Sequence, residues 1–133
     1  MRDDAMQVVE RALGAFNAGD AEGFLALIDD DVRFWMNGTH LFSGSVEGKA
    51  AFLDLVGRVN AGLGEPIRLE VLNAIPAGEW AVIETQGTAT TAAGAPYHNR
   101  YCMLWRVADG KIVELKEYND SALVAASFPP GRN

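Results

Sequence analysis

One cysteine, Cys102, and two histidines, His40 and His98, are all the thiol and imidazole chemistry in 133 residues. A lone cysteine excludes an internal disulfide framework, and two histidines beside it cannot complete a Cys/His zinc pattern. Positive charge is scarce too: 11 Lys+Arg stand against 18 Asp+Glu, a formal charge of −7. The basic residues form no stripe, which argues against a nucleic-acid partner and for a neutral or apolar one. No stretch approaches the ~20 apolar residues of a membrane-spanning helix, so no membrane partner is expected. Met1-Arg2-Asp3-Asp4 is acidic and lacks the apolar run of a signal peptide, so the expectation is a cytoplasmic protein. Asp29-Asp30-Asp31 lacks the spacing, glycine and distal glutamate of a calcium loop, and no metal or organic cofactor is expected.

What the chain has in quantity is apolar surface. Hydrophobic residues make up 49% of it, enough for the core of a single domain. Residues 3–18 read as a helix with Val9, Leu13 and Phe16 on its inward stripe. Gly19 ends it, and Asp20 opens a short second helix through Ile28. Val32-Arg33-Phe34-Trp35-Met36 alternates as a strand, and a glycine-bearing loop through Gly44 and Gly48 follows. From Ala50 a third helix carries Phe52, Leu55, Val56, Val59 and Leu63 at helical spacing. Everything after that reads as strand: Ile67, Leu69 and Val71 alternating, then residues 79–91 and 97–107. Asp109-Gly110 signals a hairpin into a last strand over 111–119, and the tail 122–133 is expected to pack on a neighbouring subunit or fray. Helices first and a curved antiparallel sheet after them make an α+β fold, a cone whose open mouth is the natural place for a ligand pocket.

Val8-Val9-Glu10-Arg11 through Phe16-Asn17-Ala18-Gly19-Asp20, then Leu27 and Asp30-Asp31, resembles the opening of the ketosteroid isomerases. Gly38-Thr39-His40-Leu41-Phe42-Ser43-Gly44 with Gly48-Lys49 is similar to the SnoaL-like polyketide cyclases. So is Gly110-Lys111-Ile112-Val113-Glu114 running into Glu117-Tyr118-Asn119-Asp120. Both groups belong to the nuclear transport factor 2-like superfamily, and the resemblance covers nearly the whole chain. It implies a cone-shaped α+β barrel, three N-terminal helices on a strongly curved, mostly antiparallel sheet around a pocket, and a homodimer through the sheet. The activities it implies run from isomerases, cyclases, epoxide hydrolases and dehydratases to non-catalytic binders.

In the ketosteroid isomerases a carboxylate moves a proton while a tyrosine and a protonated aspartic acid hold the enolate oxygen. The matching positions here carry Ala12 for the tyrosine, Met36 for the base, and Met103 or its neighbour Cys102 for the acid. None of these side chains can do that work, although they leave an apolar cavity wall. The cyclases place a histidine two residues before an acidic base on the final strand; Leu115 and Glu117 stand there. The histidine is absent and the acid survives, one methylene longer. Epoxide hydrolases of this fold need two aspartates bridged by an arginine, and Arg100 has no matching aspartate on its strand face.

Strand parity then selects the pocket candidates. If Leu115 points inward, so do Glu117 and Asn119; if Met103 does, so do Asn99, Tyr101 and Trp105; if Met36 does, so does Phe34. Glu117 is the candidate catalytic residue: burial among Met36, Met103 and Leu115 would raise its pKa toward neutrality, suiting a general base or acid. The alternative is a Glu117 paired with Arg100 or Lys116, or simply solvated. Tyr101, Asn99 and Asn119 could donate hydrogen bonds to a carbonyl or enolate oxygen. Phe16, Phe34, Met36, Val56, Met103 and Leu115 are the candidate apolar contacts. Glu84, sharing Val82's face, is a candidate second pocket carboxylate or a charge on the sheet surface. His40 sits in the loop at the expected mouth. The expected partner is a small apolar or carbonyl-bearing molecule. It is either turned over by acid–base chemistry without a cofactor or held as an apolar metabolite by a non-catalytic binding protein.

Overall fold

The structure, a computed structural model, describes residues 4–129. In chain order it runs α1 (Asp4–Ala18), α2 (Ala21–Ala26), β1 (Ile28–Met36), β2 (Gly44–Glu47), α3 (Lys49–Ala61), β3 (Arg68–Ala77), β4 (Trp80–Thr90), β5 (Pro96–Ala108), β6 (Lys111–Tyr118) and α4 (Ser121–Ser127). The strands form one curved, unclosed six-stranded sheet in the order β2-β1-β6-β5-β4-β3. Every neighbouring pair is antiparallel except β1 with β6. α1 lies across β3 to β6, α3 covers β1 and β2, and α2 bridges α1 to β1. This is the α+β cone that the order of elements implies.

The inner face of the sheet is built from small residues opposite large ones. On β5, Tyr97, Asn99, Tyr101, Met103, Trp105 and Val107 are buried and alternate with outward residues. Facing them across β4 stand Ala89, Gly87, Thr85, Ile83 and Ala81. Gly87 shows why the small set is needed. A Cβ there would lie 2.6 Å from Tyr101 Cε2 and 3.3 Å from the Asn99 carbonyl oxygen. Gly87→Ala is therefore expected to cost about 1–3 kcal/mol by overpacking, read as a lower urea midpoint at unchanged slope.

Five elements depart from the reading of the sequence. The second helix stops at Ala26, because Ile28 is buried in the sheet opposite Ile112 of β6 and starts β1 instead. The aspartates lie inside that strand, where a register shift between Ile28 and Arg33 lets Asp30 and Asp31 reach solvent. Gly44–Glu47, expected as loop, pairs with β1 as a short edge strand. On β3 only Leu69 is buried; Val71 keeps the register of Leu69, opposite Thr85, yet is 47% exposed, and the register shifts only after it, before Asn73.

The largest departure is the tail over 122–129; its last four residues lie outside the described residues. Asp120 accepts a hydrogen bond from the Leu123 N–H and caps α4, whose Val124 and following Phe128 are buried in this same chain. The Asp120 cap and the four-residue spacing of Val124 and Phe128 were the available signal.

Candidate functional site

The concave face of the sheet and the helices over it enclose a cavity. Its volume is about 120 Å³, several times the ~10–15 Å³ that one water needs. The helices contribute Phe16, Phe24, Phe52 and Val56, and the sheet contributes Phe34, Met36, Tyr97, Tyr101, Met103, Trp105 and Leu115. Aromatic pairs tie helix to helix and helix to strand: Phe16 meets Phe24 edge-on at 5.8 Å, and Phe34 meets Phe52 at 5.5 Å. Among the described residues no lysine, arginine or histidine lines this space.

Glu117 breaks the apolar wall. The sheet register sets it directly between Met36 of β1 and Met103 of β5. It is half-buried and lines the cavity. Its carboxyl receives one hydrogen bond, from Asn119 Nδ2 to Oε2 at 2.9 Å. Loss of hydration pushes its pKa up to about 7, against the smaller downward pull of the Asn119 bond. Arg100 and Lys116, the cations that could have neutralised it, belong to the outer face. Arg100 donates to Gln86 Oε1, and Lys116 Nζ lies 5.8 Å over the Trp80 ring.

Other polar groups also line the cavity. Burial, the charges of Tyr97 and Glu117, and a hydrogen bond with Tyr97 all push the Tyr101 hydroxyl far up, so it stays a neutral donor. Trp105 Nε1 and Asn119 Oδ1, both on residues that line the cavity, are buried without a hydrogen-bond partner among the described residues. Asn119 itself is held by Asn37, whose Nδ2 donates to the Asn119 carbonyl at 3.0 Å and whose Oδ1 accepts its N–H at 3.1 Å. No group of three or more His, Cys, Asp or Glu comes together as a metal-holding cluster among the described residues. Nor is any described helix long and apolar enough to cross a membrane.

The structure brings Phe16, Phe34, Met36, Val56, Tyr101, Met103, Leu115, Glu117 and Asn119 to one cavity. Two candidates do not belong there. Glu84 is exposed on the outer face of β4 opposite Cys102, because the inward residues of that strand are Ala81, Ile83 and Thr85. Asn99 has the inward parity, but its amide turns to the backbone: Oδ1 accepts the Asp120 N–H at 3.0 Å, and Nδ2 reaches the Tyr97 hydroxyl at 3.1 Å. It props the wall rather than lining it. Asn99→Ala is expected to lower stability by about 1–2 kcal/mol through the unpaired groups it leaves, measured by chemical denaturation.

His40 also stands behind the wall. Its Nδ1 accepts the Phe42 N–H at 3.1 Å and so shapes the loop that presents Phe42 to the cavity. Tyr97, Phe24, Phe42 and Phe128 line the cavity without having been singled out from the sequence. For Tyr97 the signal existed, since it shares the parity of Tyr101. For Phe42 it did not, since it comes from a loop without regular alternation, and for Phe128 it was only the helical spacing from Val124 behind the Asp120 cap.

A family model for the SnoaL-like domain matches residues 9–115, most of the cavity included. The chain belongs to the SnoaL-like family. Solved structures agree in fold. This SnoaL-like protein is 23% identical to an NTF2-like protein of unknown function from Burkholderia pseudomallei, with a TM-score of 0.86 over 97% of this chain and 100% of that one. It is 20% identical to TerC, solved with polyporic acid, with a TM-score of 0.82 over 93% and 97% of the two chains. A protein of unknown function with a cystatin-like fold from Xanthomonas campestris is 23% identical, with a TM-score of 0.86 over 96% and 98%. At these identities the likeness is one of fold. No curated protein sequence matches this SnoaL-like chain.

Proposed function

We propose that this SnoaL-like protein performs acid–base chemistry on a small apolar carbonyl compound, with Glu117 as the group that moves the proton. The observation that carries the reading is a carboxyl with a pKa of about 7 in an aromatic cavity lined by no cationic side chain among the described residues. At neutral pH such a group is about half ionised, so it can both take and return a proton. In the reaction proposed, ionised Glu117 removes a proton from the carbon next to the carbonyl. The C–H pair moves into the C–C bond and the carbonyl pair onto oxygen, giving an enolate. The Tyr101 hydroxyl and the Asn119 amide, which line the same cavity as Glu117, are the donors that would receive that oxygen. Return of the proton from Glu117 to either end of the enolate closes the cycle with no net change of charge.

The test is wash-in of deuterium at the α-carbon of small cyclic ketones and enones in D₂O, followed by proton NMR. Exchange by the wild type above the buffer rate supports the reading. Ligand binding without exchange supports the second reading, a binding protein for an apolar metabolite. That second reading draws on Ala12 and Met36 and on Met103 or its neighbour Cys102, which stand where the resemblance puts the three isomerase groups; Ala12, Met36 and Met103 are buried.

A further inference from the structure

One end of the cavity is closed by a residue outside regular structure. Phe128 follows α4, is buried, and lines the cavity together with Val124. Its ring meets Phe42 at 5.2 Å and Tyr97 at 5.3 Å, both edge-on. On its remaining side lies Gly62, just past α3, where a Cβ would sit 2.6 Å from Phe128 Cε1. The ring thus occupies a slot that exists only because position 62 carries no side chain. The helix that carries it there is fixed at its start. Asp120 caps α4, and its backbone N–H is held by Asn99.

With that ring in place the cavity offers about 120 Å³. A cavity of ~150 Å³ lined by Leu, Ile and Phe accepts one benzene, so this space is on the scale of a single ring. A phenyl side chain is itself the size of one ring. The Phe128 ring therefore takes up about as much space as one ring of ligand.

We propose that Phe128 sets ligand size: with its ring seated over Gly62 the cavity takes a one-ring carbonyl compound, and a second fused ring would need the space Phe128 fills. The proposal rests on the reading that the cavity holds its ligand beside Glu117. It narrows that reading to one-ring substrates and assigns the selection to a residue of the cavity wall. Glu117 and Asn119 then orient the carbonyl, while the packed rings of Phe128, Phe42 and Tyr97 limit the space left for the rest of the ligand.

The experiment is calorimetric titration of the full chain with cyclohexenone and with octalone, its fused two-ring counterpart. Wild type, Phe128→Ala and Phe128→Leu are compared, each checked for native circular dichroism. Wild type is expected to favour cyclohexenone about tenfold or more, since forcing an extra ring into a packed wall strains it. Phe128→Ala should shift that ratio at least about tenfold toward octalone, and Phe128→Leu should fall between. If Phe128→Ala does not fold, Phe128→Leu carries the test alone with the same direction of shift. A cyclohexenone-to-octalone ratio that stays within about threefold of wild type in every folded variant overturns the size proposal and leaves the ligand reading standing. Binding of neither enone by wild type overturns both.

Discussion

Glu117→Gln is expected to slow α-proton exchange about 10²–10⁴-fold, the range a positioned general base contributes. Ligand affinity should change little, because glutamine keeps the volume of glutamate and its carbonyl oxygen can still accept the Asn119 Nδ2 bond seen at Glu117. The separation of rate from affinity matters more than the loss itself. A purely structural Glu117 would lower both together, through a distorted cavity. The wild-type rate should also climb with pH and level off above about 7, where the carboxyl is ionised. The glutamine variant should show no such rise. Retention of wild-type exchange within about threefold would remove Glu117 from the chemistry.

Stability should carry the opposite pH dependence. The Glu117 pKa lies at about 7 in the folded protein against an ordinary 4.5. Between those values the folded state holds a proton that the unfolded chain releases. The group's contribution to stability is thus fully present below 4.5 and is lost as pH rises through 7. At roughly 1.36 kcal/mol per pKa unit, the loss across the window is at most about 3 kcal/mol. The clean measurement is the difference in urea midpoint between wild type and Glu117→Gln at pH 5, 6, 7 and 8, since other carboxyl groups cancel in it. The variant should gain on the wild type steadily up to neutrality and hold its lead beyond. A flat difference would mean that Glu117 titrates in the folded protein as it does in water.

Parity alone placed Glu117, Tyr101, Met103 and Leu115 on the face where the cavity lies, because β5 alternates cleanly and β6 keeps step with it from Glu114 onward, past the irregularity that follows Ile112. What it could not show is the pairing behind the expected burial of Glu117 between two methionines: Met103 comes through the β5–β6 hairpin that Asp109-Gly110 announces, but Met36 comes through a parallel pairing with β1 that no local pattern announces. Glu84 was misplaced for an instructive reason. Its strand alternates just as cleanly, but its apolar Val82 faces outward while the inner set is mostly small, and side-chain size misled where parity could not decide. Asn99 had the right face and the wrong employment: a fully buried amide seeks backbone partners wherever two are within reach, and Asp120 supplied them. α4 escaped because a seven-residue helix offers less than two full turns of periodicity to read.

The parallel pairing also dictates an order of events during synthesis. β1 sits inside the sheet, yet its neighbour β6 is made late: Arg33 and Glu114, which bond across the two strands, lie 81 residues apart. At ~5–20 residues per second the ribosome needs several seconds to cover that distance. Through that interval the early hairpin of β1 and β2 has the buried-type residues Val32, Phe34 and Met36 in hand and one open edge. Such an edge is a template for pairing with another chain. A chain ending before Lys111 keeps it open permanently, so the nascent protein stays vulnerable to aggregation until its last strand emerges and slots between β1 and β5.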